Sequence, residues 1–127
     1  MTPHILIVDD EPFMLRLIEA SLKKGGFSVS SCRSGEAALE WAVERPPMLI
    51  IMDLMMPGLD GLETLRYMRV LPALRDIPVI MLTAKGHQLA QVEAEECGVQ
   101  VFLTKPFSPS QLVEETKRLL APHTAAA

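Results

Sequence analysis

The chain has 127 residues, of which 49% are apolar and 22% charged, and its formal net charge at pH 7 is −4. This length predicts one domain with a real core, and a negative charge without a basic run argues against direct binding to nucleic acid. No apolar stretch approaches the ~20 residues of a membrane span, and the first residues lack the layout of a signal peptide, so we expect a cytoplasmic protein.

Strand-length apolar segments and helical segments alternate along the chain. The predicted strands are His4 to Val8, Phe27 to Cys32, Met48 to Met52, Pro78 to Leu82, and Val99 to Leu103. The second alternates weakly, whereas the other four are continuous, as in strands that are covered on both faces. The third runs directly into Asp53, and Pro57-Gly58 then closes the turn.

The segments between the strands carry helix start and stop signals. The predicted helices are Pro12 to Lys24, Glu36 to about Glu44, Gly61 to about Leu71, Gln88 to Cys97, and Pro109 to Leu120. Asp10 or Glu11 is expected near the first N-cap, and Asp60 at the third. Glycine or proline follows the first four helices, at Gly25-Gly26, Pro46-Pro47, Pro72 and Gly98.

Apolar stripes on the first and fourth helices predict which side of each helix faces the sheet. The first stripe follows the spacing of an amphipathic helix and comprises Met14, Leu17, Ile18, Ser21 and Leu22. The fourth helix has a thin stripe of Leu89, Val92 and Cys97. Fewer apolar residues therefore support the fourth helix than the first.

Five strand–helix pairs in succession predict an α/β fold. Continuous apolar strands alternating with helices indicate a parallel sheet with helices on both faces. Right-handed crossovers leave few topologies for such a chain. No internal repeat, low-complexity segment or linker divides the sequence.

Polar residues follow four of the predicted strands. Asp9 and Asp10 follow the first strand, Asp53 the third, Thr83 the fourth and Lys105 the fifth. The carboxyl ends of parallel strands share one edge of the sheet, so these side chains should meet there. Three carboxylates in one cleft repel one another unless a cation lies among them, and few oxygen ligands with positions left for water suit Mg²⁺.

A hydroxyl and an ammonium beside such a metal site suit an incoming phosphoryl group. The metal and Lys105 would offset its charge, and Thr83 would donate a hydrogen bond. Asp53 is then the natural nucleophile, because carboxylates can form aspartyl-phosphates.

Four motifs surround these polar residues: Val8-Asp9-Asp10-Glu11-Pro12, Asp53-Leu54-Met55-Met56-Pro57-Gly58 with Asp60-Gly61, Leu82-Thr83-Ala84, and Lys105-Pro106-Phe107. In their order and spacing, the chain resembles the receiver domain of two-component response regulators, including the single-domain chemotaxis type. Each motif alone is weak, but the four together are highly specific. The resemblance implies a flavodoxin-like, doubly wound (βα)5 three-layer sandwich whose parallel strands lie in the order 2-1-3-4-5.

The resemblance also implies roles at the acidic edge. Asp53 matches the aspartate that is phosphorylated from a partner kinase's phosphohistidine. Asp10 resembles the direct Mg²⁺ ligand and Asp9 the ligand that usually acts through water. The backbone carbonyl of Met55 would complete the protein's ligands.

Further positions match the family's switch residues. Thr83 matches the hydroxyl that moves toward the phosphoryl group, and Lys105 matches its ion-pair partner, with a cis peptide to Pro106. Phe102 occupies the switch-aromatic position and has no hydroxyl, so a switch that needs a tyrosine hydrogen bond is unavailable. Phosphorylation should alter the face made by the fourth helix, fifth strand and fifth helix.

Two positions are thought to set phosphoryl lifetime in the family, and here they are Met55 and Lys85. Neither side chain is an amide or a carboxylate that could position an attacking water. The sequence therefore predicts slow self-dephosphorylation.

Two other function classes fit parts of the pattern. A Mg²⁺-dependent phosphotransferase or phosphatase with an aspartyl nucleophile, as in haloacid-dehalogenase-like enzymes, would need a second acid where Met55 stands, and a cap domain. A flavin or nucleotide binder would need a glycine- or serine-rich turn after a strand, whereas the first turn here is acidic. We therefore expect a signalling module and not a turnover enzyme.

The resemblance implies domain bounds and partners. We expect a receiver domain over residues 1–121, with 122–127 a disordered tail or the start of a linker. Its partners would be a sensor histidine kinase or phosphotransfer protein, docked near Phe13, Leu15 and Arg16, and a downstream output protein or fused effector domain. It would be a monomer or a phosphorylation-dependent dimer.

Overall fold

The computed structural model describes residues 3–84, 86 and 88–121, in which strands and helices alternate as predicted. The strands are β1 His4–Val8, β2 Ser28–Cys32, β3 Leu49–Asp53, β4 Val79–Thr83 and β5 Val101–Thr104. The helices are α1 Pro12–Lys24, α2 Gly35–Glu44, α3 Gly61–Val70, α4 Gln88–Glu96 and α5 Pro109–Leu120. Most predicted bounds are within one residue of these, and the largest difference is that β5 begins two residues later than predicted.

The five strands form one parallel sheet in the order β2-β1-β3-β4-β5, which confirms the doubly wound topology. Every residue of the central strands β3 and β4 is buried. Burial on both faces explains why these two segments are continuous apolar runs in the sequence.

Two hydrophobic cores lie on opposite faces of the sheet. On one face, α1 and α5 bury residues that include Leu15, Ile18 and Leu112. On the other face, α2, α3 and α4 pack through residues that include Leu65 and Met68. Each fully buried Leu, Ile or Met contributes about 1.5–3 kcal/mol, so the two cores hold the sheet between helical layers.

The apolar stripes of α1 and α4 differ from the predicted ones. On α1 the fully packed positions are Leu15, Ile18 and Leu22, whereas Leu17 is more than a third exposed. On α4, Leu89 and Val92 point into solvent, so the prediction was wrong for these two residues. The small side chains of α4 face the core instead: Ala94 is buried, and Ala90 packs against the same cluster. Cys97, just after the helix, also packs there, so this member of the predicted stripe does face the core. Small residues allow the helix to approach α3 and the sheet closely.

Capping residues define where the helices near the sheet's carboxyl edge begin. Asp60 caps α3 as predicted, and its carboxylate and that of Glu63 form a reciprocal capping box. Ser34 caps α2 by accepting a hydrogen bond from Ala37 N–H at 3.1 Å. Glu11 occupies the N-cap of α1, but its side chain makes no capping bond. Such caps satisfy backbone N–H groups that have no partner inside the helix.

None of the helices in the described part of the chain is long and apolar enough to cross a membrane.

Candidate functional site

Strand register brings the predicted site residues to one edge. Val8 pairs with Met52, so Asp9 and Asp53 lie level with each other at the ends of β1 and β3. Thr83 pairs with Thr104, and Lys105 N–H donates to the carbonyl of Thr83 at 2.7 Å. The carboxyl ends of β1, β3, β4 and β5 therefore deliver acids, a hydroxyl and an ammonium to a common cleft.

The three aspartates form a compact cluster. One carboxylate oxygen from each of Asp9, Asp10 and Asp53 lies within 4.8 Å of the others. Asp9 is fully buried and Asp53 is 7% exposed, whereas Asp10 is partly exposed. Asp9 accepts a hydrogen bond from Glu11 N–H at 2.9 Å, which turns its side chain into the cleft.

Lys105 is the cation that the structure places among these acids. Its Nζ atom lies 3.2 Å from Asp53 Oδ2 and 3.5 Å from Asp9 Oδ2, and its side chain is largely buried. The peptide bond from Lys105 to Pro106 is cis, as the resemblance implied. One ammonium against three carboxylates leaves the cleft with an excess of negative charge.

Burial and neighbouring charges move the pKa values of two groups in the cleft. Desolvation raises the pKa of Asp53 above its ordinary value, and Asp9 adds to the rise, although Lys105 and the Met55 N–H oppose it. Burial lowers the pKa of Lys105, but Asp53 and Asp9 more than offset this, so its pKa is raised. Lys105 therefore stays charged at neutral pH.

The donor set fits a small divalent cation. Three carboxylates with oxygens this close cannot all be ionised around a single ammonium without strong repulsion. Oxygen ligands and an open, partly exposed side, as at Asp10, are what Mg²⁺ requires, because it keeps several of its waters. The acidic cluster can thus hold a metal.

The predicted switch residues occupy the α2–α3–α4 side of the sheet. Thr83 is fully buried, and its hydroxyl donates to the carbonyl of Ala84 at 3.1 Å. Phe102 lies on β5 and pairs with Met81 of β4, so it stands two residues before the level of Thr83. It is partly buried and packs against the core on that side.

Met55 lies at the rim of the cleft. Its N–H donates to Asp53 Oδ1 at 3.4 Å, and its side chain is 54% exposed. The other position predicted to affect phosphoryl lifetime, Lys85, lies outside the described residues, as does the predicted tail 122–127.

The sequence did not predict the contacts by which several residues shape the cleft. A Cβ atom at Gly61 would lie 2.4 Å from the Asp53 carbonyl oxygen, so α3 begins directly against the backbone of the acidic strand. Arg33 and Glu36, just beyond β2, hydrogen-bond to Asp10 O and Leu59 N–H respectively, both at 3.4 Å. Because these contacts join residues 23 apart in sequence, local periodicity carries no signal for them.

Comparison with known proteins identifies the family. The family description "Response regulator receiver domain" matches residues 5–117. This chain is a member of the response regulator receiver domain family.

Named relatives and solved structures agree with this membership. The transcriptional regulatory protein ResD of Bacillus subtilis is 40% identical over 116 residues, covering 91% of this chain and 47% of ResD. PhoP of the same organism, an alkaline phosphatase synthesis transcriptional regulatory protein, is 37% identical over 94% of this chain and 49% of its own. The receiver domain thus spans about half the length of the curated relatives it matches.

Solved structures share its architecture. A putative response regulator from Chloroflexus aurantiacus superposes with a TM-score of 0.89 at 35% identity, covering 95% of this chain and 99% of the other. The chemotaxis response regulator CheY4 of Vibrio cholerae gives 0.87 at 27% identity, covering 94% and 99%. These comparisons confirm the receiver fold and do not favour the aspartyl phosphotransferase or phosphatase considered from sequence.

Proposed function

We propose that this receiver domain accepts a phosphoryl group on Asp53 in the presence of Mg²⁺ and passes the signal on by changing its surface. The observation that carries the proposal is the position of Asp53: a nearly buried carboxylate, level with Asp9, whose Oδ2 lies 3.2 Å from Lys105 Nζ. A nucleophile, a cation and neighbouring metal-type ligands in one cleft are the parts that phosphoryl transfer needs.

The donor we infer is the phosphohistidine of a sensor histidine kinase or a phosphotransfer protein. A carboxylate oxygen of Asp53 forms a bond to phosphorus while the phosphorus–nitrogen bond breaks. The departing imidazole keeps the electron pair and takes up a proton. Lys105 supports this step by opposing the rise in the pKa of Asp53 that burial causes, which favours the ionised form of the nucleophile, and by offsetting charge on the phosphoryl oxygens.

Asp9, Asp10, Asp53 and the backbone carbonyl of Met55 would hold the Mg²⁺ ion, Asp9 through water. When bound, the ion supplies positive charge that neutralises the transferring phosphoryl group. Two contacts orient the Asp53 carboxylate: the Met55 N–H donates to Oδ1, Lys105 Nζ lies beside Oδ2, and together they restrict its rotation.

Thr83 and Phe102 would convert the new charge into a surface change. The Thr83 hydroxyl, now bonded to Ala84 O, would turn toward the phosphoryl group, and Phe102 would move into the vacated space. The face formed by α4, β5 and α5 would then bind a downstream protein or a fused effector domain differently. A second copy of the chain is one such partner, so the domain would be a monomer or a phosphorylation-dependent dimer.

The inferred context is a cytoplasmic signalling module without turnover of an external substrate. We assign residues 1–121 to the receiver and 122–127 to a tail or linker. The names of ResD and PhoP describe transcriptional regulators, and a fused effector domain that regulates transcription would suit this receiver. The receiver itself carries net negative charge and would not bind nucleic acid directly.

The decisive experiment is incubation with acetyl phosphate or phosphoramidate and Mg²⁺, followed by intact-mass measurement. We expect a gain of about 80 Da, the mass of HPO₃, which depends on Mg²⁺ and disappears in Asp53→Asn. No gain with several donors, or an equal gain in Asp53→Asn, would overturn the proposal.

A further inference from the structure

The β2–α2 turn, a name used here for residues 33–34 together with the first two residues of α2, 35–36, touches both loops that border the acidic cluster. On one side is the β1–α1 loop, residues 9–11, which carries Asp9 and Asp10. On the other side is the β3–α3 loop, residues 54–60, which carries Met55. The turn itself contributes no carboxylate to the cluster.

Arg33 joins the turn to the β1–α1 loop. Its guanidinium donates to the backbone carbonyl of Asp10 at 3.4 Å. The bond reaches the backbone and not the carboxylate, so the Asp10 side chain remains directed to the cluster. A restraint on this carbonyl also restrains the neighbouring Glu11 N–H, which donates to Asp9 at 2.9 Å.

Glu36 joins the turn to the β3–α3 loop. Its carboxylate accepts a hydrogen bond from Leu59 N–H at 3.4 Å. Gly58, next to Leu59, has a φ of +73°, and a Cβ atom there would lie 3.1 Å from Glu36 Oε2. The left-handed conformation of Gly58 therefore brings the loop backbone against the Glu36 carboxylate.

Close packing makes the turn rigid enough to act on both loops. A Cβ atom at Gly35 would lie 2.0 Å from Thr64 Oγ1 and 2.9 Å from the carbonyl oxygen of Leu59. Ser34 caps α2, so the turn is also continuous with a helix that packs on the core. The backbone at Gly35 is therefore packed directly against the β3–α3 loop, with no space for a side chain between them.

We propose that the β2–α2 turn positions the two ligand-bearing loops of the acidic cluster, with Arg33 holding the β1–α1 loop and Glu36 holding the β3–α3 loop. Arg33 and Glu36 are positioning residues, because neither contacts the cluster's carboxylate oxygens. This inference rests on the proposed role of the cluster as a Mg²⁺ site. Residues that orient metal ligands affect metal affinity although they do not bind the ion.

The direction of the change in Mg²⁺ affinity distinguishes a positioning role from a purely electrostatic one. If Arg33 acted only through its charge, Arg33→Ala would tighten Mg²⁺ binding, because a nearby positive charge is removed. If it positions Asp10, the same variant weakens binding. For Glu36, the comparison is between Glu36→Ala and Glu36→Gln, since the amide oxygen of glutamine still accepts from Leu59 N–H but carries no charge.

The experiment is isothermal titration calorimetry of the full chain with Mg²⁺. We expect Arg33→Ala and Glu36→Ala each to weaken binding by about threefold to tenfold, as for loss of one ordinary hydrogen bond. Glu36→Gln should remain close to the wild type. Arg75→Ala and Glu44→Ala are matched controls, because they remove the same charges far from the cluster and should leave the affinity unchanged.

A second readout needs no metal. In the metal-free protein, amide exchange measured by NMR should accelerate at Leu59 in Glu36→Ala and at Glu11 in Arg33→Ala, with Glu36→Gln unchanged. Tighter Mg²⁺ binding in Arg33→Ala, equal effects of Glu36→Gln and Glu36→Ala, or unchanged exchange would overturn the positioning role. Absence of Mg²⁺ binding in the wild type would instead count against the proposed function, and the exchange measurement would still test the turn.

Discussion

Two partly buried cations, Lys105 and Arg69, lie at opposite ends of the sheet and are stabilised in different ways. At the carboxyl edge, Lys105 contacts the carboxylates of Asp53 and Asp9. At the amino edge, Arg69 on α3 donates only to backbone carbonyls. Its acceptors are Cys97 at 2.7 Å, Ile77 at 3.0 Å, Arg75 at 3.1 Å, Gly98 at 3.3 Å and Leu74 at 3.4 Å.

The two kinds of partner give the two cations different roles: Arg69 has a structural role, whereas the surroundings of Lys105 consist of groups whose charge can change. Backbone carbonyls do not titrate and are not phosphorylated, so the contacts by which Arg69 joins the end of α4 to the α3–β4 connection do not depend on the charge of their acceptors. Burial lowers the pKa of Arg69, although a guanidinium remains protonated at neutral pH. The partners of Lys105, by contrast, are the carboxylates that we propose to bind Mg²⁺ and to accept the phosphoryl group, so the charge around Lys105 would change with either event.

The largest expected effect is the loss of stability when the arginine at the amino edge is replaced. Arg69→Met should lower the free energy of unfolding by about 2–4 kcal/mol, because several backbone carbonyls lose their donor at once. Denaturant unfolding measures this, with and without Mg²⁺, and the loss should be the same in both. The matched control is Arg66→Met, which removes an exposed ion pair with Glu93 and should cost less than about 1 kcal/mol. Equal losses in the two variants would contradict the structural role of Arg69.

At the carboxyl edge, Lys105→Met should destabilise the metal-free protein by about 1–3 kcal/mol, because the fully buried Asp9 loses its cation. Saturating Mg²⁺ should recover part of the loss, since a divalent ion can take over charge compensation. Thermal unfolding in EDTA and in Mg²⁺ gives both values. If Mg²⁺ stabilised this variant no more than the wild type, the result would contradict the idea that charge compensation at the carboxyl edge, unlike that at the amino edge, can be taken over by a metal ion.

A smaller effect concerns the rate of dephosphorylation. Met55 and Met48 flank β3 at its two ends and are 54% and 50% exposed. Met55→Asn should shorten the phosphoryl lifetime severalfold, because its amide can position an attacking water beside Asp53. Met48→Asn, at the amino edge, should leave the lifetime unchanged. Phosphoprotein decay after removal of the donor is the measurement, and a wild-type half-life of seconds would contradict the predicted slow dephosphorylation.

The smallest expected effect is a pH dependence of stability in EDTA. The pKa of Asp53 is raised in the folded protein. Between about pH 3.9, where the unfolded carboxyl group loses its proton, and the folded pKa, the folded state therefore binds more protons than the unfolded state. The stability contributed at low pH is therefore lost as the pH rises through the folded pKa. Asp53→Asn has no proton to release at this position. Its free energy of unfolding, relative to that of the wild type, should therefore rise from about pH 4 upward and then level off. A constant difference across this range would contradict the raised pKa.

The order of elements and the composition of the acidic edge could be predicted from sequence. Continuous apolar runs that end at Asp9, Asp53, Thr83 and Lys105 indicate parallel strands, and parallel strands bring those residues to one edge. The cap at Asp60 was also predictable, because capping depends on residues within one turn of the helix. The roles of these site residues remain proposals.

The sequence did not predict which side of α4 packs on the core or which distant residues contact each other. Leu89 and Val92 were expected to face the core, but Ala94 does so, because the helix approaches its neighbours through its smallest side chains. The Arg69 contacts and the β2–α2 turn join segments that are distant in the chain.

The sequence by itself therefore determined the α/β class, the alternation of strands and helices, and the set of side chains at the carboxyl edge, since these depend on local periodicity and on the geometry of parallel strands. Only the tertiary structure decided the distances within the aspartate cluster, the pairing of Lys105 with two carboxylates, and the hydrogen bonds of Arg33, Glu36 and Arg69. These features depend on how separate segments pack against one another, and the spacing of residues within one segment does not predict that packing.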